Sequence, residues 1–252
     1  MQYTILHTND FHDTLKLEQA SRLRQLRDDI GTHGLLLDAG DAVGAGNITF
    51  RPAGEPILER MTEAGYSAMT VGNREFHFSR IGFFSKLSKA GFPVLCANVR
   101  PINAIAARDP ASLPTVAFTE FLLEGNFKVV VFGVTVPMIT EQMLVRKVSA
   151  YVFDDPIKVA CDMATRLRES HNPDLLIAMT HIGIKQDERL AEACPVIDII
   201  IGGHTHVTLP EGQRIGNTLL VQAASHGRYY GRIDIDAADG CRSRLTARLE
   251  EL

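Results

Sequence analysis

The sequence lacks the features that mark several classes of protein. Its 252 residues include only four cysteines, with no CxxC pair, so we expect neither a zinc knot nor a redox motif and we expect reduced thiols. The net charge is −4, whereas a nucleic-acid-binding protein usually carries a basic surface. We therefore expect no nucleic-acid partner. The four cysteines are Cys96, Cys161, Cys194 and Cys241.

Long apolar runs and targeting signals are also missing. The largely apolar run Val129–Ile139 contains glycine, threonine and proline and falls short of the roughly 20 residues that a membrane-spanning helix needs. The N-terminus enters a strand-like segment directly, without a basic region or a cleavable apolar segment. We therefore expect a cytoplasmic protein that does not use a membrane. The sequence does not indicate an oligomeric state.

What the sequence does have is a regular alternation of apolar runs and helical stretches. Helices are predicted at Leu17–Ile30, Glu55–Ala64, Arg80–Ala90, Pro156–Ser170 and Lys185–Ala193. Strands are predicted at Tyr3–Thr8, Gly34–Leu37, Ser67–Val71, Pro93–Val99, Thr115–Glu124, Phe127–Thr135, Leu175–Thr180, Val196–Ile201, Thr218–Ala223, Tyr229–Asp236 and Arg242–Leu249. Because parallel-type units are joined to hairpins, we expect sheets covered by helices.

Two further patterns complete this outline. The pair Gly125-Asn126 between two predicted strands indicates a β-hairpin. The segment Arg100–Pro114 contains three prolines and is expected to be a surface loop. Since no repeat or break in composition divides the chain, we expect a single domain over residues 1–252.

Short polar segments follow five of the apolar runs. They are Asn9-Asp10-Phe11-His12, Gly40-Asp41, Gly72-Asn73-Arg74-Glu75-Phe76-His77, Thr180-His181 and Gly202-Gly203-His204-Thr205-His206. Ligands of open α/β sheets bind beyond the carboxyl ends of the strands, so these side chains can converge. Any one of these residues alone would more often be a turn, cap or hydrogen-bonded core residue. The series as a whole favours a shared site.

The residue types in this series suit two divalent metal ions. The candidate ligands are Asp10, His12, Asp41, Asn73, His181, His204 and His206. Imidazole and carboxylate groups match Zn, Mn, Fe or Co, and a carboxylate can bridge two ions. If Asp41 bridges, each of the two ions receives four ligands. Two such ions can hold an attacking hydroxide and clamp phosphoryl oxygens for in-line displacement.

These stretches resemble the catalytic domain of the 5′-nucleotidase family within the calcineurin-like metallophosphoesterase superfamily. Further similarity lies in Phe153-Asp154-Asp155-Pro156 and in the stretch Val221–Tyr229. The resemblance implies an α/β fold, a four-layer α-β-β-α sandwich of two mixed sheets. It also implies the two ligand sets: Asp10, His12, Asp41 and His206 for one metal, and Asp41, Asn73, His181 and His204 for the other.

The function implied is hydrolysis of a small-molecule phosphomonoester, such as a nucleotide, by a dinuclear centre with a bridging hydroxide. Two alternatives stay open. One is a phosphodiesterase acting on cyclic nucleotides or other diesters. The other is a metal-binding module with little turnover.

The chain departs from the family at two candidate catalytic residues. The family motif is Gly-Asn-His-Glu-Phe-Asp, and here Arg74 and His77 replace its histidine and aspartate. Arginine can grip two phosphate oxygens but cannot donate a proton at neutral pH. The leaving group would then be protonated by His77, by a metal-bound water or by no group at all. Alternatively, Arg74 salt-bridges to Glu75 or another carboxylate, and His77 is a loop histidine.

A second departure concerns substrate specificity. Full-length 5′-nucleotidases carry a further C-terminal domain that clasps the base, whereas this sequence reaches Leu252, where the catalytic domain would end. We therefore expect specificity to come from the loops Val43–Pro52, Phe76–Phe84, Val136–Tyr151 and His226–Tyr230. In the third loop, Met138, Ile139, Met143 and Leu144 could form a substrate wall or a subunit contact, although packing is the simpler expectation.

Overall fold

The computed structural model describes residues 1–103, 109–237 and 244–252. Its strands are β1 (Gln2–Thr8), β2 (Gly34–Asp38), β3 (Ala68–Thr70), β4 (Val94–Leu95), β5 (Val99–Pro101), β6 (Phe118–Leu123), β7 (Phe127–Thr135), β8 (Tyr151–Phe153), β9 (Leu175–His181), β10 (Ile199–Ile201), β11 (Gln213–Ile215), β12 (Thr218–Val221), β13 (Tyr229–Asp236) and β14 (Arg244–Glu251). Its α-helices are α1 (Leu17–Ile30), α2 (Pro56–Glu63), α3 (Arg80–Leu87), α4 (Pro156–His171) and α5 (Ile184–Ala193).

Two six-stranded mixed sheets form the middle of the molecule. The first sheet has the order β14-β13-β1-β2-β3-β4, in which β1 to β4 run parallel. The second has the order β11-β12-β10-β9-β7-β6, in which β12, β10, β9 and β7 run parallel. The carboxyl ends of the parallel strands in each sheet therefore meet at one edge.

Three apolar layers separate four structural layers. The middle layer joins the two sheets face to face, with Ile5 and Leu37 from the first sheet and Val131 and Ile177 from the second. A second layer packs α1, α2 and α3 on the first sheet. A third packs α4 and α5 on the second sheet. The fold is thus the expected α-β-β-α sandwich.

The sequence predicts several elements with the observed bounds. Helix α1 and strands β7 and β13 begin and end as predicted. The β6–β7 hairpin forms because Gly125 and Asn126 adopt φ angles of 74° and 63°, which suit a tight turn between twisted strands.

Other predictions are wrong in part. The stretch Pro93–Val99 divides into β4 and β5, since the Asn98 side chain bonds the main chain of Thr135 and draws the chain out of the first sheet. Strand β5 pairs with β8, so the segment Arg100–Pro114 is not wholly a surface loop. The prediction missed β8 and β11, which have three residues each.

Two of the residues singled out in the sequence, Cys241 and Arg242, lie outside the described residues. The other three cysteines are free thiols. Within the described part of the chain, every helix is too short or too polar to cross a membrane.

Candidate metal centre

The seven candidate ligands all follow parallel strands at the shared edge of the two sheets. The first sheet supplies Asp10 and His12 after β1, Asp41 after β2 and Asn73 after β3, and the second supplies His181 at the end of β9 and His204 and His206 after β10. The loops after β1 and β2 are bonded to each other, because the Asp10 amide donates to Gly40 (2.9 Å) and the His12 amide to Asp41 (3.0 Å).

Five of these candidate ligands have left-handed backbone conformations. The φ angles are 54° at Asp10, 51° at His12, 54° at Asp41, 77° at His204 and 56° at His206. Non-glycine residues adopt this region rarely and at a cost of about 1–3 kcal/mol each, so it persists where the surrounding structure enforces it. Such clustering is typical of a functional site.

The distances between the ligand atoms fit a bound cation. His12 Nε2 lies 3.5 Å from both Asp10 Oδ1 and Asp41 Oδ2. His206 Nε2 lies 3.2 Å from Asp10 Oδ1, and His181 Nε2 lies 3.5 Å from Asp41 Oδ2. Two ligands that each lie ~2.1 Å from a tetrahedral metal are themselves separated by about 3.4 Å.

Three of these buried atoms have no hydrogen-bond partner among the described residues: Asp10 Oδ1, His12 Nε2 and His181 Nε2. Burial of an unpaired polar atom is costly, and a metal ion would satisfy all three. The other ring nitrogen of His181 lies 2.8 Å from the Ala39 carbonyl oxygen, which holds Nε2 toward the site. The residues present therefore fit a divalent metal.

The charges of the site favour the same conclusion. The carboxylates of Asp10 and Asp41, each 3.5 Å from His12 Nε2, raise the pKa of His12 to about 9. Burial lowers the pKa of His181, but the neighbouring Asp41 carboxylate outweighs that effect and raises the pKa to about 9. Burial opposes ionisation of Asp41, yet the neighbouring imidazoles of His12 and His181 hold its pKa far below the ordinary range. The carboxylate therefore stays anionic and attracts cations.

Asn73 and His204 lie beside this cluster. His204 Nδ1 is 3.1 Å from Asn73 Oδ1, and the ring of His204 is 5.2 Å from that of His181. The His204 amide donates to Asp10 Oδ2 (3.0 Å), so the loop after β10 is bonded to the loop after β1. The structure thus brings all seven candidate ligands together across the two sheets.

Two motif glycines permit this convergence. A Cβ atom on Gly72 would lie 2.3 Å from Asp41 Oδ1. A Cβ atom on Gly203 would lie 2.9 Å from the Ala39 carbonyl oxygen and from His181 Nδ1. Larger residues at either position would displace candidate ligands.

Arg74 lies at the mouth of the cluster. Its Nε atom is 3.6 Å from Asp41 Oδ2, its Nη1 donates to the Gly44 carbonyl (2.8 Å), and its side chain is 34% exposed. Glu75 instead accepts the amides of three residues, Asp41, Val43 and Gly72, and is fully buried. The sequence left Glu75 or another carboxylate open as the partner for a salt bridge of Arg74. The prediction of Glu75 is wrong, and the carboxylate that Arg74 contacts is that of Asp41.

His77 has a different environment. It is 5% exposed, its Nδ1 accepts the Ser79 amide (3.0 Å), and its ring stacks on Phe78 at 4.8 Å. Burial lowers the pKa of His77. A Cβ atom on Gly82 would lie 2.2 Å from His77 Nδ1, so the ring packs against the first turn of α3. These contacts make His77 an anchor for that turn, and its role as a proton donor stays a prediction.

His226 was not singled out from the sequence beyond its place in a specificity loop. Its φ angle is 59° and its amide donates to the Asp10 carbonyl (2.8 Å). Its exposed ring lies 5.0 Å from His12 and 6.0 Å from His206. The sequence pattern that could have identified His226 is the one that marks the candidate ligands, because a polar segment follows the apolar strand β12.

The four apolar residues considered as a substrate wall or subunit contact fall into two groups, one buried and one exposed. Ile139 is 4% exposed and Met138 packs against the same core, as packing predicts. Met143 and Leu144 are 42% and 81% exposed. These two side chains are therefore free to contact a ligand or another molecule.

Comparisons with known proteins extend these observations. Residues 3–208 match the family model described as calcineurin-like phosphoesterase. The trifunctional nucleotide phosphoesterase protein YfkN of Bacillus subtilis is 31% identical over 265 residues, which cover 92% of this chain and 18% of that protein. The 5′-nucleotidase of Vibrio cholerae is 31% identical over 281 residues, which cover 94% of this chain and 49% of that protein.

A structural match supports the fold. The Haemophilus influenzae NAD nucleotidase gives a TM-score of 0.80 at 20% identity and covers 100% of this chain and 56% of that one. The chain thus spans about half or less of the length of these relatives. With the family model matching most of its length and the relatives covering over nine-tenths of it, the chain belongs to the calcineurin-like phosphoesterase family.

Proposed function

We propose that the protein is a divalent-metal-dependent phosphohydrolase with a dinuclear centre that acts on small phosphomonoesters, nucleotides first among them. The observation that carries this proposal is the cluster of unpaired carboxylate and imidazole atoms shared between the two sheets. The names of the relatives support nucleotides as the substrate class, since they include a nucleotide phosphoesterase and a 5′-nucleotidase.

The geometry supports two adjacent metal positions. Asp10, His12 and His206 form one group of ligand atoms, and Asp10, Asp41 and His181 form another, each within 4.8 Å. Asn73 and His204, whose Oδ1 and Nδ1 atoms lie 3.1 Å apart, would complete the second position. Bound dications would lower the pKa of a bridging water to give a hydroxide nucleophile and would polarise the phosphoryl oxygens. The donor set suits Mn, Zn, Fe or Co.

The chain's own residues hold and orient the phosphate. The guanidinium of Arg74 is partly exposed beside Asp41 and fixed by Gly44, so it can donate to phosphoryl oxygens without a large rearrangement. His226 presents a second nitrogen-bearing side chain on the side of His12 and His206. A phosphoryl group between them would meet donors from two directions.

Phosphodiesters are a second candidate substrate class. Arg74 replaces the family's histidine, and His77 is committed to the first turn of α3. If neither residue protonates the leaving group, substrates whose leaving groups need no proton would react relatively faster. Aryl diesters meet this condition, whereas cyclic nucleotides release a sugar hydroxyl and represent the diesters that still need a proton.

The test is an assay of the metal-reconstituted protein on AMP, cyclic AMP, p-nitrophenyl phosphate and bis-(p-nitrophenyl) phosphate. We expect metal-dependent hydrolysis of at least one, with AMP preferred. Preference for the diesters would favour the second candidate. If the protein bound two equivalents of metal but hydrolysed none of these substrates, the phosphohydrolase proposal would be contradicted and a metal-binding module would be favoured.

The Arg74→His variant tests the missing proton donor. We expect it to raise the rate on AMP, whose leaving alcohol needs a proton, more than the rate on p-nitrophenyl phosphate, whose leaving group does not. The Arg189→His variant is the control, because Arg189 is exposed on α5 and lies outside the candidate site. Equal changes on the two substrates would contradict the view that protonation limits turnover.

A further inference from the structure

Lys86 is a fully buried lysine in α3 whose surroundings are unusual for a cation. Its side chain is 0% exposed. The ammonium nitrogen lies within hydrogen-bond distance of four main-chain carbonyl oxygens, which share its three protons: 2.6 Å to Arg74, 2.7 Å to Gly46, 3.3 Å to Phe76 and 3.4 Å to Ala45. A buried charge is tolerated only where such bonds replace its hydration. This lysine therefore has a specific structural requirement for these carbonyls.

The four carbonyls belong to two segments that are distant in sequence. Gly46 and Ala45 lie in the loop after β2, and Arg74 and Phe76 lie in the turn after β3. Charge-assisted hydrogen bonds are about twice as strong as neutral ones. Lys86 therefore joins the loop after β2 to the turn after β3 through hydrogen bonds to both segments.

Those two segments are the ones that position the guanidinium of Arg74. The Arg74 amide donates to Asp41 Oδ1 at 2.8 Å, its carbonyl accepts from Lys86, and its Nη1 donates to the Gly44 carbonyl. Lys86 thus fixes both the backbone of Arg74 and the loop that holds the end of its side chain. Glu75 also joins the two segments, but at Asp41 and Val43. Loss of the Lys86 bonds would therefore release the part of the loop at Ala45 and Gly46, next to the carbonyl of Gly44 that holds the guanidinium.

We propose that Lys86 is a positioning residue that holds Arg74 in place to bind the phosphoryl group. This inference rests on the proposed phosphohydrolase function. It assigns Lys86 no contact with the substrate and no proton transfer. Its effect on phosphate should therefore pass through Arg74.

A double-mutant cycle tests this dependence. The variants are Arg74→Met, Lys86→Met and the double substitution, each reconstituted with metal. A misplacement of about 1 Å can cost on the order of 10²-fold, so we expect Lys86→Met to weaken inorganic phosphate binding and kcat/KM by about tenfold. In the Arg74→Met background, Lys86→Met should have no further effect.

Two controls separate positioning from stability. Lys89 follows α3 and pairs with Glu59 at the surface. The Lys89→Met variant therefore also removes one lysine, and we expect it to change neither phosphate binding nor kcat/KM. Metal stoichiometry should stay at the unaltered value in Lys86→Met. If that variant is too unstable to assay, Lys86→Gln takes its place, since it can still donate to the nearest carbonyls.

The outcomes are decisive in either direction. Effects of Arg74→Met and Lys86→Met that add in the double variant would overturn the proposal, as would unchanged phosphate binding in Lys86→Met. Failure of both Lys86 variants to fold would assign the lysine to stability instead. Phosphate binding is measured by calorimetry and does not require turnover. An absence of turnover would therefore count against the hydrolase, while the binding data of the double-mutant cycle would still test the role of Lys86.

Discussion

The two sheets contribute to the candidate site in different ways. The first sheet supplies both carboxylates and the amide, whereas the second supplies imidazoles only. Asp10 and Asp41 are buried and each side chain accepts one main-chain amide, from His204 and Arg74 respectively. In the second sheet, His181 is buried whereas His204 and His206 are exposed. One half of the site thus supplies buried negative charge, and the other half supplies imidazoles that are in part open to solvent. Carboxylate and imidazole donors together suit a divalent transition metal.

The largest effect should come from the carboxylate that joins the two halves. We expect Asp41→Ala to abolish binding of both metals and to lower activity by roughly 10³-fold or more, because Asp41 lies against His12, Arg74 and His181. Metal analysis after reconstitution and a hydrolysis assay measure this. Asp13→Ala is the control, because Asp13 is an exposed aspartate in the neighbouring loop after β1 and pairs with Arg60. If the Asp41→Ala variant still held two equivalents of metal tightly, the predicted bridging role of Asp41 would be wrong.

A smaller effect should follow from one imidazole of the second sheet. We expect His206→Ala to lose the metal near Asp10 and His12 but to retain the other, with activity lowered about 10²-fold. His226→Ala should keep both metals, since His226 lies beside this group without belonging to it. If the two variants bound equal amounts of metal, the division of the site into two positions would be wrong.

The smallest effect concerns a buried carboxyl behind the second sheet. Burial raises the pKa of Asp187 from 3.8 to about 8, although Thr180 donates a hydrogen bond to it. The folded protein keeps this proton between pH 4 and 8, whereas the unfolded chain releases it, so folding stability falls as pH rises through that window. The contrast with Asp41 shows that a buried carboxylate stays ionised only beside compensating charge.

We therefore expect Asp187→Asn to be more stable than the unaltered protein at pH 8, on the order of 2 kcal/mol, and less so at pH 5. Thermal melts of the metal-free proteins at both values measure the difference. The exposed Glu192→Gln on α5 is the control. A difference that shrinks as pH rises would show that Asp187 is ionised in the folded state.

Much of this arrangement could be predicted because its causes are local. Each candidate ligand follows an apolar run, so Asp10, Asp41 and His181 could be placed at strand ends from the sequence alone. The α-β-β-α order and the ligand sets came from resemblance to a family. Nothing in the fold bears on the expected cytoplasmic location, which stays a prediction.

The remainder depends on contacts between distant segments. The partner of Arg74 is the carbonyl of Gly44, 30 positions away, and no sequence pattern specifies it. Lys86 reads as an ordinary helix lysine until the fold brings four carbonyls around it. Strand β11 exists because β12 offers it an edge, since a segment as short as Gln213–Ile215 has almost no pattern of its own.

The apolar layer between the sheets has a consequence for the chemistry at their edge. Asp41 belongs to one sheet and His181 to the other, and the sheets face each other through side chains such as Leu37 and Ile177. The thickness of that apolar layer therefore sets the distance between the candidate ligands of the two sheets. Side chains without a polar atom act as the spacer of the candidate metal site, and a methyl group gained or lost in this layer would change the distances between its residues.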